Sequence, residues 1–239
     1  MVWSGLGVNY KSSQENWPAD AAYFKSIGLN IIRPSLSSFP NSAYTAGSQG
    51  DVEGSIEWWR QCAAYFKNQG FTVAYGIARA TGVSGTFDAT AWATYRANVL
   101  ADAAYNQSIG FALDYYQIGN EIEGIINNTT YTQAQLISDL KALATEVKAV
   151  YPLANKVIYS AYDLGQTNFD LWVSAGLGDI DVLGGNVYAQ TGSNGKGFIF
   201  GDMGKLGLML KTFGSSRFIL TEFGITGNSS EYTASSSSN

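Results

Sequence analysis

Two glutamates that end apolar segments are the residues of this sequence best suited to chemistry. Glu121 follows an aromatic and apolar run that starts at Tyr115, and Glu222 follows a second apolar run that starts at Phe218. An apolar run that stops at a polar residue is typical of a buried strand reaching the rim of a sheet. Two carboxylates brought to one rim from distant parts of the chain can divide the roles of nucleophile and acid/base at a glycosidic bond.

Arg33 and Tyr188 lie near the ends of two further apolar segments and are suited to support this pair. Arg33 is expected to keep Glu222 ionised through a charge-assisted hydrogen bond, and Tyr188 to donate a hydrogen bond to the same carboxylate. Glu121, with fewer charged neighbours, would keep its proton to higher pH. Separating the two pKa values in this way makes Glu222 the nucleophile and Glu121 the acid/base. The alternative is that each glutamate is only a structural ion-pair partner.

Further polar residues at segment ends widen the candidate site. Asn120 precedes Glu121 and can bind a sugar hydroxyl, and Asn9 ends the first apolar segment. Glu123 would point the same way as Glu121 in an extended chain and is interpreted as a loop residue that contacts substrate. Asp163 is interpreted as a hydrogen-bonding residue. Several acids on one rim could instead bind Mg²⁺ or Ca²⁺, but without an Asp-x-Asp cluster no metal is predicted.

Composition and motifs exclude several other chemistries. The chain has no histidine, which excludes triads with an imidazole base and histidine-ligated metals. Its single cysteine, Cys62, can form no internal disulfide and is interpreted as a buried, inert thiol. A net charge of −5 with no basic run argues against a nucleic-acid partner. No cofactor or membrane span is predicted, since the sequence lacks nucleotide-binding glycine motifs and long apolar runs.

The candidate residues require a scaffold of strands that alternate with helices. At 239 residues and 46% hydrophobic content, the chain is long enough for one large α/β domain. Seven short apolar segments predict strands at 2–10, 30–35, 71–78, 115–121, 156–162, 181–189 and 217–223. Six helical segments separate them, at 17–28, 51–69, 88–109, 136–150, 168–176 and around 206–210. A polar loop at about 37–50 is a candidate binding loop.

This alternation of strands and helices indicates a parallel sheet covered on both faces. An open doubly wound sheet and a TIM-type (β/α)8 barrel both fit the order of elements. A barrel is favoured because the carboxyl ends of its strands converge on one rim, and the candidate residues all lie at such ends. The barrel domain is predicted over 1–227 and a Ser-rich tail or linker over 228–239. No eighth strand is recognised, which would expose two sheet edges and invite self-association.

Short motifs at the strand ends resemble those of the clan of retaining (β/α)8 glycoside hydrolases with catalytic glutamates on strands four and seven. The strand-four and strand-seven motifs correspond to Ile118-Gly119-Asn120-Glu121 and Thr221-Glu222-Phe223-Gly224. Strands one and two of cellulase-like members are similar to Gly7-Val8-Asn9 and Asn30-Ile31-Ile32-Arg33, and strand six is similar to Asn186-Val187-Tyr188.

The resemblance implies a role for each matched residue. Glu121 would be the acid/base and Glu222 the nucleophile, and their supporting residues would be Asn120, Arg33 and Tyr188. Asn186 stands where cellulase-like members carry a histidine. Glycoside hydrolase family 5 and a neighbouring family of the clan therefore both remain open.

Aromatic residues are abundant enough to serve both the core and a sugar-binding surface. The chain has 15 Tyr, 12 Phe and 6 Trp, and any one of them is about twice as often a core residue as a platform for a sugar ring. The candidate platforms are Tyr10, Trp17, Tyr44, Tyr162 and Tyr188.

The expected function is an endo-acting retaining glycosidase that hydrolyses a β-linked polysaccharide, a β-glucan such as cellulose or a mannan. A transglycosylase would use the same residues and differ only in its products. The alternatives are a carbohydrate-binding barrel made inactive by the missing strand, and an assembly fragment whose edge strands pair with a partner. Low charge content, a single cysteine and the Ser-rich tail are compatible with a secreted domain.

Overall fold

The computed structural model describes the backbone of residues 6–34, 37–39, 44–48, 52–80, 87–125, 131–161, 166–190 and 200–226. These residues form eight parallel strands. Their bounds are β1 Leu6–Tyr10, β2 Leu29–Pro34, β3 Ser37–Phe39, β4 Thr72–Ala80, β5 Leu113–Asn120, β6 Ala154–Ala161, β7 Val182–Gln190 and β8 Phe218–Thr226. Seven strands follow the sheet path β1-β2-β4-β5-β6-β7-β8, and the short β3 pairs with β4 beside that path.

Six α-helices connect these strands. They are α1 Trp17–Ser26, α2 Ile56–Asn68, α3 Ala89–Ser108, α4 Gln133–Val150, α5 Gln166–Ala175 and α6 Phe200–Phe213. Single 3-10 turns lie at Gln14–Asn16 and Ile122–Ile125. Three of the helices have an N-cap residue whose side chain accepts a backbone N–H of the first turn. These residues are Ser55, Asp88 and Thr132. These caps mark where each helix can start.

The sheet is the barrel type that the alternation of elements predicts. Successive strands along the path are parallel and lie in chain order, which is the arrangement of a (β/α)8 barrel. The two end strands approach each other at their carboxyl ends, where Asn9 Nδ2 of β1 lies 3.4 Å from the carbonyl oxygen of Thr221 in β8. Within the described residues, no eighth strand joins this path.

The structure corrects three element boundaries. The loop predicted at 37–50 contains β3, whose Ser37 pairs with Ile77 of β4. The second helix begins at Ile56 rather than at 51, because the Ser55 side chain accepts the N–H of Trp58 and so caps the helix there. The last strand extends three residues beyond its predicted end, to Thr226, because Gly224, Ile225 and Thr226 pair with the end of β7.

The core lies between the sheet and the helix layer. The predicted periodic face of α2 is buried at Trp59, Ala63 and Phe66, as a helix covering a sheet requires. Cys62 on the same helix is also buried, and its burial raises the pKa of the thiol, which confirms the interpretation of an inert core cysteine.

A buried group of charged and polar residues joins α2, α3 and β5, and we call it the helix-layer network. Arg60 donates to Asn106 Oδ1 at 2.6 Å and to the carboxylate of Asp102, and its Nη1 lies 3.6 Å from Glu57. The hydroxyl of Tyr116 donates to the other oxygen of Asp102 at 2.8 Å. Each charge in this network therefore has an oppositely charged partner inside the protein, as burial of charge demands.

Candidate active site

The carboxyl ends of the parallel strands form one rim, and the candidate residues lie along it. Asn9 of β1 and Arg33 of β2 are partners in the parallel register, and so are Asn120 of β5 and Ser160 of β6. Glu222 lies in β8, the seventh strand of the sheet path. Parallel pairing thus brings residues that are far apart in the chain to one edge of the sheet.

Arg33 is the centre of a hydrogen-bonded group that we call the rim network. The guanidinium is 7% exposed and donates from Nε to Gln117 Oε1 at 2.9 Å, from Nη1 to Asn9 Oδ1 at 3.1 Å and from Nη2 to Asn120 Oδ1 at 2.8 Å. The other group of the Gln117 amide, Nε2, donates to the carbonyl oxygen of Gly119 at 3.0 Å. A planar guanidinium that binds three amide oxygens fixes three strand ends relative to one another.

This network decides which part of the Asn120 amide can serve a substrate. Its side-chain oxygen accepts from Arg33 at 2.8 Å and lies 3.5 Å from Gln117 Nε2. Because the Asn120 side-chain oxygen is bonded in this way, the group that the amide can offer to a ligand on the rim is its N–H donor. Such a donor suits a sugar hydroxyl or another oxygen acceptor.

Glu121 begins the turn that follows β5, and its backbone is held in an uncommon conformation. Its φ of 54° is the only positive φ of a non-glycine residue in the part of the chain that the structure describes. The left-handed region costs about 1–3 kcal/mol for such a residue and persists only where the surroundings enforce it, most often at functional sites. Here the backbone N–H of Glu121 donates to the carbonyl oxygen of Ser160 at 2.8 Å, and the side chain is half-buried.

Glu123 does not lie where the sequence predicts it. The residue is 1% exposed, and its carboxylate accepts from the hydroxyl of Tyr159 and, at 3.2 Å, from Nε1 of Trp172. The expectation of a loop residue that contacts substrate is therefore corrected. The chain turns sharply at Glu121 into a 3-10 turn, so the alternation expected of an extended segment does not apply.

The backbone just before Glu222 is fixed from three sides. The carbonyl oxygen of Thr221 accepts from Asn9, and its Oγ1 lies 2.8 Å from Ser160 Oγ. On the third side Gly184 leaves room for Thr221, since a Cβ at that glycine would lie 2.5 Å from Thr221 Cγ2. The part of β8 that carries Glu222 is thus held by β1, β6 and β7.

Several predicted contacts fall on side chains outside the described residues. In the register of β7 and β8, Asn186 is the partner of Glu222 and Tyr188 the partner of Gly224, so both lie on the expected strand beside the predicted nucleophile. The side chains of Asn186, Tyr188 and Glu222 belong to the part that the structure does not describe, so the bonds from Arg33 and Tyr188 to Glu222 stay predictions. Tyr162 and Asp163 also lie outside the described residues.

Three of the predicted sugar platforms are buried in the helix layer instead, and the first is Tyr10. The ring of Tyr10 is 4% exposed, meets the edges of Phe24 and Phe66, and donates its hydroxyl to Asp20 at 2.6 Å. Successive side chains of a strand point to opposite faces. Because Asn9 faces the rim network, Tyr10 faces the helices, where no sugar ring can stack on it.

Trp17 and Tyr44 are buried as well. Trp17 is 3% exposed and packs against Trp58 with ring centroids 5.3 Å apart, and Tyr44 donates its hydroxyl to Glu57 at 2.7 Å. Both side chains join α2 to a neighbouring segment, and their burial corrects the expectation that they bind a sugar. The sequence could not separate these roles, because an amphipathic aromatic residue fits a core and a binding surface equally well.

The site includes residues that the sequence did not single out. Gln117 binds Arg33 from within β5, and Ser160 and Thr221 contact each other between β6 and β8. A polar residue inside an apolar strand was the available signal, because a buried amide or hydroxyl needs a hydrogen-bond partner. The described residues contain no group of three or more His, Cys, Asp or Glu side chains placed to hold a metal ion. Among the described helices, none has both the length and the apolar character that a membrane crossing requires.

Comparisons with known proteins place the fold among solved glycoside hydrolases. No protein-family profile matches the chain. No curated protein matches it either. Solved structures do match. Fungal β-1,4-galactanases align over 92% of this chain and 74% of theirs with a TM-score of 0.66 at 16% identity.

Two mannanases give similar results. A GH113 β-1,4-mannanase aligns over 94% of this chain and 73% of its own with a TM-score of 0.60 at 13% identity. The catalytic domain of a mannanase from Streptomyces sp. SirexAA-E aligns over 95% of this chain and 67% of its own with a TM-score of 0.55 at 16% identity. At these identities the likeness shows the fold, and the predicted resemblance to (β/α)8 glycoside hydrolases is confirmed at that level.

Proposed function

We propose that this protein is a retaining glycoside hydrolase that cleaves a β-linked polysaccharide at internal bonds, with Glu121 as acid/base and Glu222 as nucleophile. The observation that carries the proposal is the left-handed turn at Glu121, which follows the fourth strand of the sheet path on the same rim as Glu222. A strained backbone around a carboxylate at the carboxyl end of a barrel strand is typical of a catalytic residue.

The proposed mechanism is a double displacement. Glu222 attacks the anomeric carbon while Glu121 protonates the leaving oxygen, and a glycosyl ester forms on Glu222. Glu121, now ionised, takes a proton from water, which attacks the same carbon and releases Glu222 as a carboxylate. This mechanism requires the two carboxyl groups to lie about 5–5.5 Å apart. Asn120, whose amide nitrogen is left as a donor by Arg33, would bind a hydroxyl of the sugar at the reacting carbon.

The proteins with similar structures support a β-1,4-linked substrate. Solved structures with TM-scores of 0.60 or more include those of β-1,4-galactanases, an exo-β-1,4-mannosidase and a β-1,4-mannanase. Galactan therefore joins the expected β-glucan and mannan as a polymer to test, and xylan is added because a xylanase of glycoside hydrolase family 30 also has a similar structure. The chain itself contributes the carboxylate pair and the donor amide, which are suited to a β-glycosidic bond without selecting one sugar.

The test is hydrolysis of these four polymers by the wild type, by Glu222→Ala and by Glu121→Ala. Each substitution is expected to lower kcat by on the order of 10⁴-fold, because each removes a group that the reaction cannot replace. Azide should restore turnover of an activated aryl glycoside by either variant and give the α-azide with Glu222→Ala and the β-azide with Glu121→Ala. Glu146→Ala is the control, since Glu146 lies on α4 in an ion pair with Arg96.

Failure would take a recognisable form. A folded wild type that cleaves none of the polymers, yet binds one of them in an affinity gel, would replace the proposal with a carbohydrate-binding barrel. Products longer than the substrate would indicate a transglycosylase. Hydrolysis that survives Glu222→Ala would mean that the nucleophile is another residue.

A further inference from the structure

Glu123 is a buried carboxylate two residues beyond the proposed acid/base, and the proposed mechanism gives it no role. It is held by two aromatic donors, the hydroxyl of Tyr159 on β6 and the indole Nε1 of Trp172 on α5. The two rings also pack together, with centroids 5.5 Å apart. A carboxylate is costly to bury, and an apolar side chain would fill the same volume without that cost. The position of the charge therefore calls for an explanation.

Tyr159 connects this carboxylate to the turn at Glu121. Its oxygen accepts the backbone N–H of Ile122 at 3.0 Å while its hydrogen is donated to Glu123. One residue earlier, the N–H of Glu121 donates to Ser160, the neighbour of Tyr159 on β6. Both backbone N–H groups that follow Asn120 are thus bound to consecutive residues of one strand. This is the arrangement that enforces the positive φ of Glu121.

The acceptor at Glu123 determines the direction of the Tyr159 hydroxyl. A tyrosine oxygen that gives its hydrogen to a carboxylate presents a lone pair to any other donor, here the N–H of Ile122. Burial, together with the negative charge of Glu123, raises the pKa of Tyr159 well above its ordinary value, so the hydroxyl remains a donor at working pH. Without the carboxylate, the hydroxyl hydrogen could turn elsewhere and the bond to Ile122 would weaken.

Close packing leaves this turn little freedom. A Cβ at Gly119 would lie 2.8 Å from Ile122 Cδ1 and 2.9 Å from Tyr159 Cε2, so the glycine is required where the turn folds back over β5. Ile122 is fully buried beneath the same turn. The position of Glu121 is therefore set by β6 and α5 as well as by its own strand.

We propose that Glu123 is a positioning residue that, through Tyr159 and Ile122, holds the carboxyl group of Glu121 at the leaving oxygen. The inference rests on the proposed role of Glu121 as acid/base. Proton transfer requires the donor within hydrogen-bond reach of the leaving oxygen, and a displacement of about 1 Å can cost about 100-fold in rate. Loss of Glu123 should therefore act on protonation of the leaving group and spare the nucleophilic attack.

The experiment measures kcat/KM on a series of aryl β-glycosides. Their sugar is the one that the wild type cleaves, and their leaving groups range from dinitrophenolate to phenolate. Dinitrophenolate departs without acid help, whereas phenolate needs a proton. Glu123→Gln leaves one acceptor oxygen for the two donors Tyr159 and Trp172 and sets an NH2 group against one of them. It is therefore expected to lower kcat/KM by about 30–100-fold on the phenyl glycoside and by less than about threefold on the dinitrophenyl glycoside. Glu121→Ala should show the same selectivity with a larger loss. Tyr159→Phe, which removes the linking hydroxyl, should resemble Glu123→Gln.

Glu57→Gln is the matched control, because Glu57 is also a buried glutamate that accepts from a tyrosine hydroxyl, but it lies in the helix-layer network. Its losses should not depend on the leaving group. If Glu123→Gln and Tyr159→Phe lower the rates on all leaving groups equally, as a smaller folded fraction would, the positioning role is overturned. If Glu121→Ala itself shows no leaving-group dependence, the proposed acid/base assignment fails, and the inference fails with it for that separate and recognisable reason.

Discussion

Two buried arginines organise two networks of this protein in different ways. In the helix-layer network Arg60 binds the carboxylate of Asp102 and lies near that of Glu57, so its partners inside the core include two carboxylates. In the rim network Arg33 donates to the amide oxygens of Asn9, Gln117 and Asn120. Both guanidinium groups are at least nine-tenths buried. Among the described acceptors, those of Arg60 include a carboxylate, whereas those of Arg33 are side-chain amides at the rim.

The difference separates a group that stabilises the fold from one that orients a site. A buried ion pair holds its helices together and is damaged most by removing one partner, since the other charge is then left in the core. A guanidinium that donates to several amide oxygens sets the direction of each amide, which matters for whatever binds there. We therefore expect substitutions in the helix-layer network to lower mainly the stability of the protein, and substitutions in the rim network to lower mainly its activity.

The largest expected effect is on stability, for Arg60→Met. The substitution leaves Asp102 buried without its cation and should lower the free energy of unfolding by about 3–5 kcal/mol. Urea denaturation followed by tryptophan fluorescence measures this change. The double variant R60M/D102L, which replaces the pair by apolar side chains, should recover most of the loss. At low urea the folded fraction of Arg60→Met should keep the kcat/KM of the wild type within about twofold, and a larger fall would break the proposed separation of the networks.

A smaller effect, on activity, is expected for Arg33→Lys. A lysine keeps the charge but cannot reach three oxygens in the fork geometry of a guanidinium. We expect kcat/KM to fall by about 100-fold, equivalent to about 2.7 kcal/mol of transition-state stabilisation, with a smaller change in the urea midpoint than for Arg60→Met. Asp20→Asn, which alters the partner of Tyr10 in the helix layer, is the control for a polar change near β1. Unchanged kinetics in Arg33→Lys would contradict a rim network that serves the reaction.

The smallest expected effect is a difference in stability between two substitutions at Glu121, and the backbone conformation there predicts which of them is more stable. Glycine adopts a positive φ without the steric cost of a Cβ, so Glu121→Gly should be more stable than Glu121→Ala by about 1 kcal/mol. Both variants lack the carboxyl group, so the comparison isolates the backbone. At Glu146, inside α4, the same pair should have the opposite order, with glycine less stable than alanine by about 1 kcal/mol. Equal signs at the two positions, measured in the same urea series, would show that the turn at Glu121 carries no strain.

The positions of strands and helices could be predicted well, and the reasons are local. All six predicted helical segments and all seven predicted strands overlap observed elements. Apolar periodicity, glycine and proline mark such elements without reference to the rest of the chain. The start of α2 was missed although Ser55 carries a capping signal in the sequence itself. The short β3 was missed because three residues in a polar loop have no periodicity of their own.

The candidate site could be predicted only in part. Asn9, Arg33 and Asn120 do come together as their positions at strand ends suggested. Tyr10 does not join them, because a continuous apolar run does not indicate which face of a sheet buried on both sides a given side chain takes. Gln117 shows the reverse case, a polar residue within such a run that the sequence analysis passed over and the structure places against Arg33.

By itself the sequence determined the alternation of strands and helices, the absence of histidine chemistry and the position of Glu121 directly after a strand. These follow from local composition and spacing, which act before any long-range contact forms. Only the tertiary structure decided that Arg33 binds three amides from two other strands and that Glu123 is buried against Tyr159 and Trp172. Such contacts depend on the register and curvature of the sheet, which bring distant residues opposite each other and are not encoded in any one segment.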